Sequence, residues 1–122
     1  MILKNILITA DDVDQAVHFY KDLFGLQVTL DREGNVMMTG GLVIQDRKTW
    51  EDALGKKCIP ENNMSELYFE TQDIAGFASK LAESYRDVKC VTGIEKMPDG
   101  TRVMRIYDPS GNLIEIREAG LK

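Results

Sequence analysis

Two stretches of the chain, NILITADDVDQAVHFY from Asn5 and ELYFETQDIAGFASKL from Glu66, carry one pattern twice. At an offset of 61 residues (73 minus 12), Asp12 falls over Asp73, Ile6 over Leu67, Ile8 over Phe69, Val13 over Ile74 and Val17 over Ala78. Each copy reads as a short strand, an acidic or polar corner and an amphipathic helix. An internal repeat constrains topology more than any single motif, because the two copies must bury their apolar faces in the same way.

In the first helix Val13, Ala16, Val17, Tyr20, Leu23 and Phe24 recur at the three- and four-residue spacing of one buried stripe. Asp11 or Asp12 is placed to cap its N-terminus, and Gly25 follows its last turn. In the second helix Ile74, Phe77, Ala78, Leu81 and Tyr85 trace the same stripe. Three strands are predicted after each helix. In the first half they run from Gln27 to Asp31, Asn35 to Thr39 and Leu42 to Asp46, separated by Arg32-Glu33-Gly34 and Gly40-Gly41. In the second half they run from Val88 to Thr92, Arg102 to Tyr107 and Leu113 to Arg117, separated by Pro98-Asp99-Gly100 and Asp108-Pro109-Ser110-Gly111.

The pattern therefore predicts an α+β fold of tandem βαβββ modules in one domain spanning 1–122: module one over 1–46, a linker over 47–64 and module two over 65–119. At 122 residues such a domain buries roughly two-thirds of its unfolded surface. The linker, RKTWEDALGKKCIPENNM, is polar, and a turn of helix is predicted at TWEDAL. Trp50 either closes over a pocket or packs on the rim of the core, and the rim is the simpler reading for an amphipathic ring.

Side chains alternate across a strand, so the positions that cover the helices fix where the others point. With Ile6, Ile8, Leu67, Phe69, Ile114 and Ile116 toward the helices, Asn5, Leu7, Thr9, Glu66, Tyr68, Glu70, Leu113, Glu115 and Arg117 point away. The same parity sends Val43, Gln45, Val103, Arg105 and Tyr107 to that far face. A face in water alternates polar and apolar side chains. This one mixes Leu7, Val43, Tyr68, Val103 and Leu113 with its polar groups, which suits a curved sheet lining a partly apolar pocket.

Net charge narrows the partners. With 20 acidic against 15 basic residues and a net charge of -5, the chain lacks the clustered positive field that nucleic acid requires. No apolar run approaches the ~18 residues of a membrane span. The opening MILKNILITADD is too short and too soon acidic for a secretory signal, so a cytoplasmic location is expected. Cys58 and Cys90 have neither CxxC nor metal-ligand spacing and are expected to be reduced and inert. The single histidine, His18, lies opposite the apolar stripe of its helix and is expected to face solvent.

The doubled unit, the opening ILITADDVDQAVHFYKDLFGLQV and the closing YDPSGNLIEI together resemble the glyoxalase, bleomycin-resistance and extradiol-dioxygenase superfamily, the vicinal oxygen chelate family. The closing stretch is the most specific piece. The resemblance implies two modules forming an incomplete barrel around a central cavity, and a homodimer. In metal-dependent members four side chains converge, one each from the first, fourth, fifth and eighth strands. Carried onto this chain, those positions are Asn5, Gln45, Glu66 and Glu115.

Histidines common at two of these positions are replaced by Asn5 and Glu66, so the two-histidine iron site of a ring-cleaving dioxygenase cannot be assembled. No metal is expected. If one binds, Gln45, Glu66 and Glu115 are its ligands, and an all-oxygen set suits magnesium or manganese better than zinc, with nickel also open. The resemblance then implies binding of a small organic ligand by Asn5, Leu7, Gln45, Glu66, Tyr68, Val103, Arg105 and Glu115, without chemistry. The alternative is a metal-dependent lyase or isomerase resembling lactoylglutathione lyase, in which Glu66 and Glu115 are the catalytic carboxylates. Without metal, Arg105 is either the counter-charge to Glu66 and Glu115, leaving room for a polar or cationic guest, or an exposed strand residue.

Overall fold

A strand that pairs on both sides is the one whose side chains are lost to solvent first, and each half of this chain builds its sheet around such a strand. The computed structural model describes residues 1–32 and 34–120. The fold is α+β, and the chain divides into two units, Met1–Pro60 and the remainder from Glu61 onward.

In the first unit β1 (Ile6–Ala10), α1 (Val13–Phe24), β2 (Val28–Arg32), β3 (Asn35–Met38), β4 (Leu42–Asp46) and α2 (Arg47–Leu54) follow in order. Its sheet runs β1-β4-β3-β2, with β1 parallel to β4 and the remaining pairs antiparallel. In the second unit β5 (Leu67–Thr71), α3 (Ile74–Ser84), β6 (Cys90–Lys96), β7 (Arg102–Tyr107) and β8 (Leu113–Glu118) give the order β5-β8-β7-β6 with the same senses. Each half is thus a βαβββ module, as the repeat predicts. Of the Arg32-Glu33-Gly34 turn, Glu33 lies outside the described residues.

The two helices are started by the same chemistry. The Asp12 side chain accepts from the Gln15 amide at 3.0 Å, and its counterpart Asp73 accepts from the Gly76 amide at 2.9 Å. α1 lies on β3 and β4, and α3 on β7 and β8. The α1 stripe is wider than the spacing rule drew it: Phe19, left out of the predicted stripe, is fully buried beside Ala16 and Tyr20. Its ring meets that of Tyr20 edge-on at 5.2 Å and that of Phe24 at 5.6 Å.

Three expectations are corrected. Ile6, predicted to lie under a helix, is 55% exposed, because it opens the edge strand β1 while α1 packs on β3 and β4. The strand predicted from Val88 to Thr92 instead runs from Cys90 to Lys96, since the Val88 amide is taken by the Tyr85 carbonyl at 3.1 Å in the turn leaving α3. The linker begins as a full helix, α2, capped by Asp46 through the Thr49 amide at 2.9 Å and packed on β1 and β4.

A buried carboxylate fastens that helix. Glu51 accepts from the Cys58 amide at 2.8 Å and from Arg47 at 3.1 Å, with Lys57 at 3.8 Å. Arg47 in turn pairs with Asp11 at the end of β1. The hydrogen bond from Cys58 above all, helped by Arg47 and Lys57, holds the Glu51 carboxyl below the usual glutamate range. Trp50 is half-buried beside it.

The cost of removing Phe19 should show in denaturant melts: Phe19→Ala is expected to lower stability by roughly 3–5 kcal/mol, the usual range for a fully buried ring. Glu51 should leave a pH signature. Its depressed folded pKa stabilises the fold above the unfolded glutamate range, and that contribution disappears as pH falls through the folded value. Melts of Glu51→Gln against wild type should converge at low pH. A constant gap across the acid range would assign the effect to packing instead.

Candidate functional site

The last strand takes its position from a tight loop. Asp108, 4% exposed, accepts from the amides of Ser110 and Asn112 and from the Asn112 side chain, each at 2.9 Å. Its own amide donates to the Asn112 carbonyl at 2.8 Å, and Gly111 supplies the left-handed backbone at φ 91°. The loop ties β7 to β8 so that Arg105 stands opposite Glu115 and Ile106 opposite Ile114.

From that register comes a row of side chains across the second sheet. Tyr68 on β5 pairs with Glu115 on β8, Glu115 with Arg105 on β7, and Arg105 with Thr92 on β6. Arg117, two residues along β8, shares the face of Glu115. The Arg105 Nε donates to one Glu115 oxygen at 3.0 Å, and an Arg117 terminal nitrogen lies 3.5 Å from the other. The Glu115 side chain is 8% exposed, those of the two arginines 27% each. The Arg117 guanidinium sits over the Tyr68 ring at 6.0 Å from its centroid. Two donors of this face, Arg117 Nε and Thr92 Oγ1, are buried and have no hydrogen-bond partner among the described residues.

The structure therefore brings Tyr68, Arg105 and Glu115 together, and adds two residues absent from the predicted set, Arg117 and Thr92. Strand parity already aimed Arg117 at this face. Thr92 had no sequence signal, because register irregularities lie on both sides of it in β6. Glu66 is exposed just before β5, and Val103 is fully buried in β7.

Asn5, Leu7 and Gln45 belong to the first sheet, where the equivalent row is apolar. Leu7 pairs with Val43, Val43 with Met37, and Met37 with Leu30. With Ile6 opposite Leu42 and Leu67 opposite Ile114, the first-module counterpart of Glu115 is Val43 and not Gln45. Gln45 lies two residues further on, beside Thr9, whose hydroxyl meets Cys58 Sγ at 3.6 Å. Asn5 precedes β1 and is exposed; Gly41 at φ 83° lets the Lys4 carbonyl approach, where an added Cβ would lie 3.2 Å from it.

The donor set does not fit a divalent ion. By register the four family positions are Asn5, Val43, Glu66 and Glu115, and Glu115 already serves two guanidiniums. Among the described residues no group of three or more histidine, cysteine, aspartate or glutamate side chains could hold one. An open depression of about 780 Å³ on the first unit is lined by Asp11, Asp12, Asp14, Asp31 and Asp46. Three of these have structural work: Asp12 and Asp46 cap helices and Asp11 pairs with Arg47.

Unpairing a buried carboxylate is expensive. Arg105→Leu is expected to destabilise the protein by about 3 kcal/mol, with Arg105→Leu/Glu115→Leu recovering much of it. Losses in the double variant equal to the sum for Arg105→Leu and Glu115→Leu alone, measured by urea titration, would show that the pair is not coupled.

Comparison with known proteins agrees with this fold. Residues 3–120 match the family model for the glyoxalase-like domain. No curated protein matches the chain in sequence. Among solved structures, a protein of unknown function from Agrobacterium tumefaciens str. C58 is similar at 27% identity and TM-score 0.80, over 98% of this chain and 95% of that one. A glyoxalase-related enzyme from Fulvimarina pelagi has 17% identity and TM-score 0.76, over 96% and 89%. Lactoylglutathione lyase from Agrobacterium tumefaciens has 22% identity and TM-score 0.66, over 97% and 93%. At those last two identities the likeness is one of fold.

Proposed function

The chain belongs to the glyoxalase-like domain family, and on that footing we propose that it binds a small organic molecule without a metal, on the second-sheet face centred on Tyr68, Arg105 and Glu115. One observation carries the reading: the carboxylate at the family's last-strand position is neutralised in place by Arg105 at 3.0 Å and Arg117 at 3.5 Å. A metal ion at Glu115 would have to displace or join two guanidiniums already beside the carboxylate, against their positive charge. The face supplies what a binding site needs, an exposed aromatic ring beside a few oriented polar groups. The lyase reading requires Glu115 to leave both arginines and Val43 to be bypassed as a donor. A homodimer belongs to the same proposal, supported by the half-exposed Val28, Leu30, Val91 and Ile94 on the edge strands β2 and β6.

Metal content and melting curves test the proposal directly. Protein purified without chelators is expected to hold no stoichiometric metal and to show no shift with magnesium, manganese, nickel or zinc. An ion that bound would add RT ln(1 + [L]/Kd), about 2.7 kcal/mol at a hundredfold excess over Kd. A stoichiometric ion whose stabilisation vanishes in Glu115→Gln would overturn the proposal in favour of the lyase. Light scattering should give twice the 13.8 kDa of one chain.

A further inference from the structure

We infer that the group held on this face is a carboxylate, carried singly by a small molecule with a flat apolar body. The inference rests on the binding role proposed above and goes beyond it by assigning the ligand's charge. Arg105, Arg117 and Glu115 sum to one surplus positive charge (two guanidiniums less one carboxylate) in the middle of the sheet. A guanidinium can only donate, so the partner missing from the buried Arg117 Nε must be an acceptor. Thr92 Oγ1, register partner of Arg105, is a second buried group without a hydrogen-bond partner among the described residues, and its proton is free to turn toward an acceptor beside Arg105. Buried donors left unpaired are costly and rare, which makes two on one face a mark of a group that fills them.

The other features set the shape and the charge limit. Arg105 and Arg117 are each 27% exposed in their side chains, so the guanidiniums can be approached from solvent. Tyr68, 51% exposed beneath Arg117, offers a ring on which a flat body can stack. Around this centre stand exposed carboxylates: Glu66 before β5, Glu70 opposite Arg117, and Glu95 opposite Val103. They repel a polyanion more strongly than a monoanion, which meets the exposed part of the two guanidiniums.

Benzoate, benzamide, benzamidine and inorganic pyrophosphate separate these terms, because the first three share one body and differ in charge. Titration calorimetry at millimolar ligand is expected to show benzoate binding at least tenfold tighter than benzamide, with benzamidine and pyrophosphate silent. Thr92→Val should melt no lower than wild type in the free state and yet weaken benzoate about fivefold. Arg117→Met should weaken it tenfold or more; if that variant does not fold, Thr92→Val carries the test. Equal affinity for benzoate and benzamide, a preference for benzamidine, or unchanged benzoate affinity in Thr92→Val overturns the carboxylate inference and leaves the binding role standing. Silence of all four probes also overturns it, and a stoichiometric metal in the same preparation would remove the binding role with it.

Discussion

Glu115 is a carboxylate almost wholly withdrawn from water, and much of the second unit is arranged around that fact. A carboxylate at 8% side-chain exposure needs cations close by to offset its lost hydration. One comes from straight across the antiparallel pair, Arg105, and the other from two residues along the same strand, Arg117. Both positions depend on register. A slip of one residue would turn Ile114 and Ile116 out of the core and drive Glu115 toward α3. The Asp108 loop sets that register with three hydrogen bonds to one carboxylate, so the turn and the charge cluster are parts of one device.

The two modules share topology while differing in what they present. Their helix-side rows correspond closely: Ile8, Ile44 and Val36 in the first, Phe69, Ile116 and Met104 in the second. These rows meet helices, and only apolar side chains fill that space without unpaired polar groups. On the other face the correspondence fails, with Leu7, Val43 and Met37 against Tyr68, Glu115 and Arg105. The charged row therefore belongs to the second module, and the first carries apolar side chains at the equivalent positions.

Much of this was legible in the sequence because the fold repeats and strands alternate. The offset of 61 residues set Asp12 over Asp73, both of which cap helices, and parity aimed Glu115, Arg105, Arg117 and Tyr68 at one face. What escaped has physical causes. Phe19 lies beside the single stripe that helical spacing draws, and only the width of the sheet beneath α1 decides that it is buried. Pairing of β1 with β4 joins strands about 35 residues apart, and no local pattern encodes their register, so Gln45 was read where Val43 stands. Counting glutamates against Arg105 alone suggested a polar or cationic guest. The Arg117 contact, at 3.5 Å, sets a second cation beside Glu115.

A glutamate at the end of a DPSGNLIEI stretch is compatible with two opposite electrostatic roles, and its neighbours decide between them. Surrounded by neutral or anionic donors, it draws a cation from solution. Bracketed by two guanidiniums, it becomes the anion that holds both in one plane of the sheet, restricting side chains that would otherwise sample many rotamers. A pair of arginines ordered before a ligand arrives loses less freedom on binding than two mobile ones would. On the binding role proposed for this face, the glutamate thus orders the two arginines in advance, and the motif that marks the fold leaves the charge of a guest to Arg105 and Arg117.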